Sequence, residues 1–328
     1  MFTFAVIAII AVAFVFDFFN GFHDAANSVS TVISTRVLSP VKAVGMAAFF
    51  NFVAFIVFGV AVAKTVGAGI VSPSVIDEQV IFAALVGAIT WDAITWYVGL
   101  PTSSSHALIG GLVGAALTKA GPGSLVFRGL DLTVTFMVVS PIIGFAVAFL
   151  LMSTMIRAFF NIAASRVNRY FRRLQLVSSS LVSLSHGTND AQKTMGVVTA
   201  LLVATGNLGS FNVPLWVATL AASAIALGTF FGGWRIVKTL GFRVIKMDPV
   251  HGFSVETSAA FVIIGSSLAG IPVSTTHCVS GSILGSGATS GGSAVRWGVA
   301  RKIVGAWILT IPAAALLAAA CYFAVLSL

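Results

Sequence analysis

The chain has 328 residues, 58% of them hydrophobic and only 8% charged, with a formal net charge of +9. Soluble domains carry about 25% charged residues, so the composition excludes a water-soluble globule and predicts an all-α polytopic membrane protein in contact with the lipid bilayer. Most of the 18 Lys and Arg residues crowd four loops between apolar runs, which accounts for the charge without a nucleic-acid surface.

The first apolar run, near 2–35, has no Lys or Arg before Arg36 and so lacks the basic start of a signal peptide; it reads as a retained helix. Its stretch 15–31 holds Asp17, Asn20, Gly21, His23, Asp24, Asn27, Ser28 and Ser30, too polar to face lipid. A broken helix is expected there, with Asp17 capping or pairing near the break. Further elements are predicted near 42–66, 79–99, 101–118 and 131–155, then near 176–204, 213–233, 251–270, 272–289 and 303–326. The stretch after Pro101 opens with three hydroxyls and continues through Gly110, Gly111 and Gly114. Its twin after Pro272 continues through Gly281, Gly285 and Gly287, and both are expected to be broken or re-entrant.

Basic residues mark Arg36–Lys42, the stretch from Arg157 to Arg173, Arg235–Lys246 and Arg296–Lys302. Placed in the cytoplasm, these loops put both termini outside and give each half an odd number of crossings, so the halves are inverted repeats. The division is 1–156 for the first repeat, 157–175 for a basic cytoplasmic linker and 176–328 for the second, inverted repeat. Cys278 and Cys321 have no metal-ligand spacing and read as free thiols.

Two polar strings occur twice. Gly21-Phe22-His23-Asp24-Ala25-Ala26-Asn27-Ser28 is echoed by Gly187-Thr188-Asn189-Asp190-Ala191-Gln192-Lys193-Thr194. Pro101-Thr102-Ser103-Ser104-Ser105-His106 is echoed by Pro272-Val273-Ser274-Thr275-Thr276-His277. Pro fits the first turn of a helix, and hydroxyls beside unpaired N–H groups at the positive end of the dipole favour an oxyanion. Ser103, Ser104, Ser105, Ser274, Thr275 and Thr276 are therefore the candidate anion ligands, against plain N-capping.

Asp24 and Asp190 occupy equivalent places at membrane depth, where carboxylates beside an anion need a proton or cation. Asn27, Asn189 and Lys193 share those strings, and Lys193 stands where the first repeat has Asn27, where it would neutralise either aspartate or, alternatively, touch the anion directly. His23, His106, His186, His277, Asp92 and Glu256 are candidate proton carriers; for the two acids, a gate or ion-pair role is the alternative.

These four strings resemble the PiT family of inorganic phosphate transporters: Gly-Phe-His-Asp-Ala-Ala-Asn at 21–27, His-Gly-Thr-Asn-Asp-Ala-Gln-Lys at 186–193, Pro-Thr-Ser-Ser-Ser-His at 101–106 and Pro-Val-Ser-Thr-Thr-His at 272–277. The resemblance covers essentially the whole chain and implies a phosphate symporter of inverted repeats, with Asp24 and Asp190 as essential acids and the Ser/Thr tracts as phosphate ligands. It also implies a homodimer. Sodium-coupled relatives tend to carry Gly-Ala-Asn-Asp-Val-Ala-Asn-Ala-like strings in both halves. Gln192, Lys193 and His23 depart from that pattern, so the chain looks like the proton-coupled bacterial branch of the cytoplasmic (inner) membrane. Members of that branch take phosphate partly with a divalent metal such as magnesium, and no resident cofactor or metal site is expected. Sulfate in place of phosphate, sodium in place of the proton, and a passive anion channel are the neighbouring alternatives. An intramembrane hydrolase built on Ser103 or Ser274 with the histidine three residues on is the alternative of another class.

Overall fold

The computed structural model describes residues 2–327, and within them the chain is helical throughout. The helices are α1 (Phe4–Ser34), α2 (Pro40–Val57), α3 (Ala61–Gly69), α4 (Glu78–Val98), α5 (Ser104–Ala120) and α6 (Phe127–Ala158). The second half repeats the series as α7 (Ala164–Ala204), α8 (Leu215–Phe231), α9 (Trp234–Phe242), α10 (Pro249–Leu268), α11 (Thr275–Ala288) and α12 (Trp297–Leu326). Five helices among the described residues are long and apolar enough to cross a bilayer, and the bent pair α8–α9 makes a sixth. At 41 residues α7 is long enough but too polar to meet that criterion, because it carries the buried string around Asp190. Exposed apolar residues such as Ile56 on α2, Ile142 on α6 and Leu316 on α12 form the lipid-facing shell.

Four expectations are corrected here. The 15–31 stretch is not broken: α1 runs unbroken from Phe4 to Ser34, since its polar side chains find partners on other helices and its backbone stays intact. The run 42–66 is two helices, parted at Phe58-Gly59-Val60. The 213–233 element is followed directly by α9, bent 69° from α8 after Gly232 and Gly233. Arg235 and Lys238 thus lie on a helix rather than in a loop. Furthermore, α7 starts at Ala164, well before 176, because the Arg-rich stretch has no helix breaker and buries Phe171.

Helices α4 and α5 form an antiparallel hairpin. Asp77 caps the start of α4 by accepting from the Val80 amide at 2.9 Å, and Gly99 in the left-handed region (φ 75°) ends it. Both open ends lie on one side: Ser72 N donates to Ser124 O at 2.8 Å, Val126 N to Ile70 O at 2.9 Å, and Lys119 Nζ to Val75 O at 2.8 Å. Helices α10 and α11 repeat the hairpin, with Asp248 as the cap, Gly270 (φ 71°) near the tip and Arg296 N donating to Val244 O at 3.0 Å across its open end. A re-entrant hairpin adds no net crossing, so each half keeps an odd number and the inversion stands.

The halves interlock. Thr65 on α3 donates to the carbonyl of Gly270 at 2.6 Å, and its counterpart Thr239 on α9 donates to that of Gly99 at 2.9 Å. Each short helix therefore holds the hairpin tip of the opposite repeat. Arg235 reinforces the tip at Gly99, stacking over Trp96 and Tyr97 at 5.3 and 4.7 Å and donating to the Tyr97 carbonyl at the C-terminal end of α4.

Candidate functional site

The site lies where the two hairpin tips meet the middles of α1 and α7. Ser103 and Ser274 are N-caps, their hydroxyls accepting from the amides of His106 at 3.2 Å and His277 at 3.1 Å. The amides of Ser104, Ser105, Thr275 and Thr276 are left at the helix starts, where no intrahelical acceptor exists. The tips touch through Ser105 Oγ, which donates to the Val273 carbonyl at 3.4 Å. Two positive helix ends with their hydroxyls are thus brought together, an arrangement suited to a tetrahedral anion.

Close backbone packing lets α1 and α7 reach this place. A Cβ on Gly21 would run into the carbonyl of Ile225 on α8, and one on Gly187 would strike that of Asn51 on α2. The first residue of each repeated string is therefore a packing requirement. Beyond it, Asp24, His186 and Asp190 each bring one oxygen or nitrogen within 4.8 Å of the others. The duplicated acids meet, and both are buried.

Their partners differ. His23 Nδ1 lies 2.5 Å from Asp24 Oδ1, and the other ring nitrogen faces Thr95 at 3.2 Å and Thr102 at 3.3 Å. Asp190 Oδ1 instead accepts from Lys193, which is 1% exposed and also donates to Ser105 Oγ and, at 2.9 Å, to the Val273 carbonyl. His186 Nε2 is 3.1 Å from Asp190 Oδ2 but off the hydrogen-bonding direction, while its Nδ1 pairs with Asn51 at 3.3 Å. Thr275 donates to Asp190 Oδ2 at 2.9 Å. Asn27 donates to Thr275 at 3.2 Å and to Thr276 at 2.9 Å. Asn27 thus grips the second hairpin tip from α1, just as Lys193, its counterpart in the repeat, grips the first tip from α7. Asn189 adds to the second tip, accepting from Val273 N at 3.3 Å and donating to Ser267 at 2.8 Å. The hydroxyl of Ser104 is buried and makes no hydrogen bond among the described residues.

The remaining candidates divide. His106 and His277 lie against each other with ring centres 4.2 Å apart and planes tilted by 38°, and His277 stacks on Trp307 at 3.8 Å; neither hydrogen-bonds to a carboxylate of the described residues. They line the inner end of an apolar cavity of about 650 Å³ between α6 and α12. Asp92 is fully buried with both oxygens unpartnered among the described residues, and His23 and Asp24 are the charged groups that act on it. Glu256 lies in a separate cluster, where it accepts from Thr31 at 2.6 Å, Gln175 at 2.9 Å and Ser178 at 2.5 Å. Asp17 caps nothing and pairs with nothing among the described residues, contrary to the expectation for it, because α1 has no break for it to cap.

Sequence reasoning misses Thr95 and Thr102, and it reads Gln192 only as a departure from the sodium-coupled pattern. Gln192 accepts from the amides of Val62 and Ala63 and donates to the Gly59 carbonyl, thereby tying the α2–α3 break to α7. Thr102 sits inside a repeated string, directly before the serine tract, and that position is the available signal.

Known proteins match this chain in sequence and in fold. Residues 20–318 match the phosphate transporter family. The chain is 56% identical over 97% of its length, and 96% of the relative's, to a "Probable low-affinity inorganic phosphate transporter" of Rhizobium meliloti (strain 1021). It is 43% identical, with the same coverage, to a protein of that description from Bacillus subtilis (strain 168). A solved structure described as "The sodium-dependent phosphate transporter" superposes with a TM-score of 0.89 at 25% identity, covering 98% of this chain and 99% of that one. The chain belongs to the phosphate transporter family. It is a multi-pass protein of the bacterial cytoplasmic membrane that moves phosphate, and a transporter rather than a hydrolase.

Proposed function

We propose that the chain brings inorganic phosphate into the cell in symport with a proton, binding the anion at the two hairpin tips. The observation that carries this reading is Lys193, a fixed ammonium shared between the Asp190 carboxylate, the Ser105 hydroxyl and the Val273 carbonyl. Phosphate arriving beside Ser104, Ser105, Thr275 and Thr276 competes with Asp190 for that ammonium. A proton on Asp190 replaces the lost cation, so anion binding and proton binding assist each other, and the assistance is reciprocal. Asp24, paired with a histidine that can gain or lose charge, provides the second acid of the cycle. Phosphate retains a proton near neutral pH and can donate to these carboxylates, whereas fully ionised sulfate cannot.

A sodium-coupled reading has its own support in the sodium dependence by which the solved relative is described and in the convergence of Asp24, His186 and Asp190. An ion held there meets the Lys193 charge at close range, and two like charges about 4 Å apart repel by about 4 kcal/mol at an effective dielectric of about 20. That magnitude favours the proton. Proteoliposomes decide between the two readings. Under an inward proton gradient without sodium, phosphate is expected to accumulate. Accumulation that follows a sodium gradient at equal pH on both sides overturns the proton assignment. Competition by excess sulfate measures anion choice, and varying magnesium measures whether metal travels with phosphate.

A further inference from the structure

Asp17 is buried to 0% exposure in the middle of α1, and neither of its oxygens has a hydrogen-bond partner among the described residues. It lies two helical turns before Asp24, about 10 Å along the axis, on nearly the same stripe of the helix. Its polar neighbours are Asn20 on α1 and Thr194 on α7, and the Thr194 hydroxyl is itself unpaired. The charged groups that act on it, Asp190 and Lys193, both belong to α7. The architecture does not demand an acid here. If Asp24 is matched to Asp190, the equivalent residue of the second repeat is Ser183, which simply donates to the Ser179 carbonyl of its own helix at 2.8 Å. Glu256 shows the contrast. As a buried carboxylate satisfied by three donors, it is held in place structurally, whereas Asp17 is costly to bury as a charge and has polar neighbours but no hydrogen bond among the described residues. With the basic loops in the cytoplasm, Asp17 lies on the outer side of the aspartate pair and Glu256 on the inner side.

We propose that Asp17 is the outer proton carrier of the transport cycle, delivering a proton to Asp190 through the Thr194 hydroxyl. The O–H bond of the protonated Asp17 breaks as Thr194 Oγ accepts the proton, and Thr194 passes its own proton to Asp190, one helical turn away on the same face of α7. Asp17 is left as a carboxylate to be reloaded from outside. No electrons change hands. Delivery is timed by phosphate, which draws Lys193 away from Asp190 and opens that carboxylate to a proton. The inference rests on the proton-symport reading and adds to it a residue that lies outside the repeated strings.

The test separates net accumulation from exchange. Exchange of labelled for unlabelled phosphate, with no ion gradient, needs binding and reorientation but no net proton release. In proteoliposomes, Asp17→Asn is expected to lower proton-driven accumulation by about tenfold or more while leaving exchange within about twofold of the unaltered protein. Wild-type-like accumulation overturns the proposal. Loss of exchange together with accumulation also overturns it, because Asp17 then belongs to the binding site or the fold. Asp17→Glu, which keeps the carboxyl on a longer stem, is expected to retain accumulation with a shifted pH midpoint. An unmoved midpoint overturns the proposal even where the Asn variant fails to reach the membrane. If the underlying proton reading fails, that failure appears in the unaltered protein as sodium-driven uptake, before any variant is compared.

Discussion

Asp24 and Asp190 hold equivalent places in the two repeats, yet one is paired with a histidine and the other with a lysine. The histidine ring can serve as donor or acceptor, whereas the lysine, 1% exposed, only donates, to Asp190, Ser105 and the Val273 carbonyl. The same inequality appears at the hairpin tips. Asn27 reaches the second tip as a neutral donor, whereas Lys193 reaches the first as a cation. A duplicated scaffold has thus been made electrically lopsided at its centre, and a single anion binding there does not see two identical halves.

The largest effect that follows is on Asp190→Asn. Removing this carboxylate leaves Lys193 buried without a counter-charge, so phosphate uptake is expected to vanish and folding in detergent to lose about 3–5 kcal/mol. Asp24→Asn is expected to abolish uptake as well, but to cost only about 1 kcal/mol, since His23 can become neutral. Uptake assays and denaturant titrations of the two variants check the contrast; equal stability losses break it. Next comes Lys193→Asn, which makes the second string resemble the first. Proton-driven accumulation is expected to fall about tenfold, with a sodium requirement appearing in its place. An unchanged ion requirement shows that the lysine does not choose the coupling ion. The smallest effect belongs to the latches: Thr65→Val and Thr239→Val each remove one hydrogen bond to a hairpin tip and are expected to cost about 1 kcal/mol apiece. Because Arg235 also braces the tip at Gly99, the loss at Thr239 should not exceed the loss at Thr65 in thermal unfolding. A larger loss at Thr239 shows that Arg235 does not share the load.

The sequence displays what is local and repeated. Proline followed by hydroxyls and a histidine, inside an apolar run and occurring twice, is enough to expect re-entrant tips, and the matched strings together with the sides of the basic loops are enough to expect an inverted pair of bundles. Long-range satisfaction is hidden. The polar stretch of α1 reads as a break because its partners Thr95, Thr102, Thr275 and Thr276 lie far along the chain; once they are supplied, an unbroken helix is the cheaper solution. The break between α2 and α3 is hidden for the opposite reason. Phe58-Gly59-Val60 is apolar enough to pass for mid-helix, and it is Gln192, from the other repeat, that satisfies backbone groups the break exposes. Asp17 is visible as a charge, but its lack of partners is a three-dimensional fact.

Consider, finally, what the crossed threonine latches impose on motion. Since α3 clasps one tip and α9 the other, neither hairpin can withdraw without tugging on the far bundle. Any movement of one tip is therefore passed through its latch to the opposite repeat, and the two halves are wired to shift in concert.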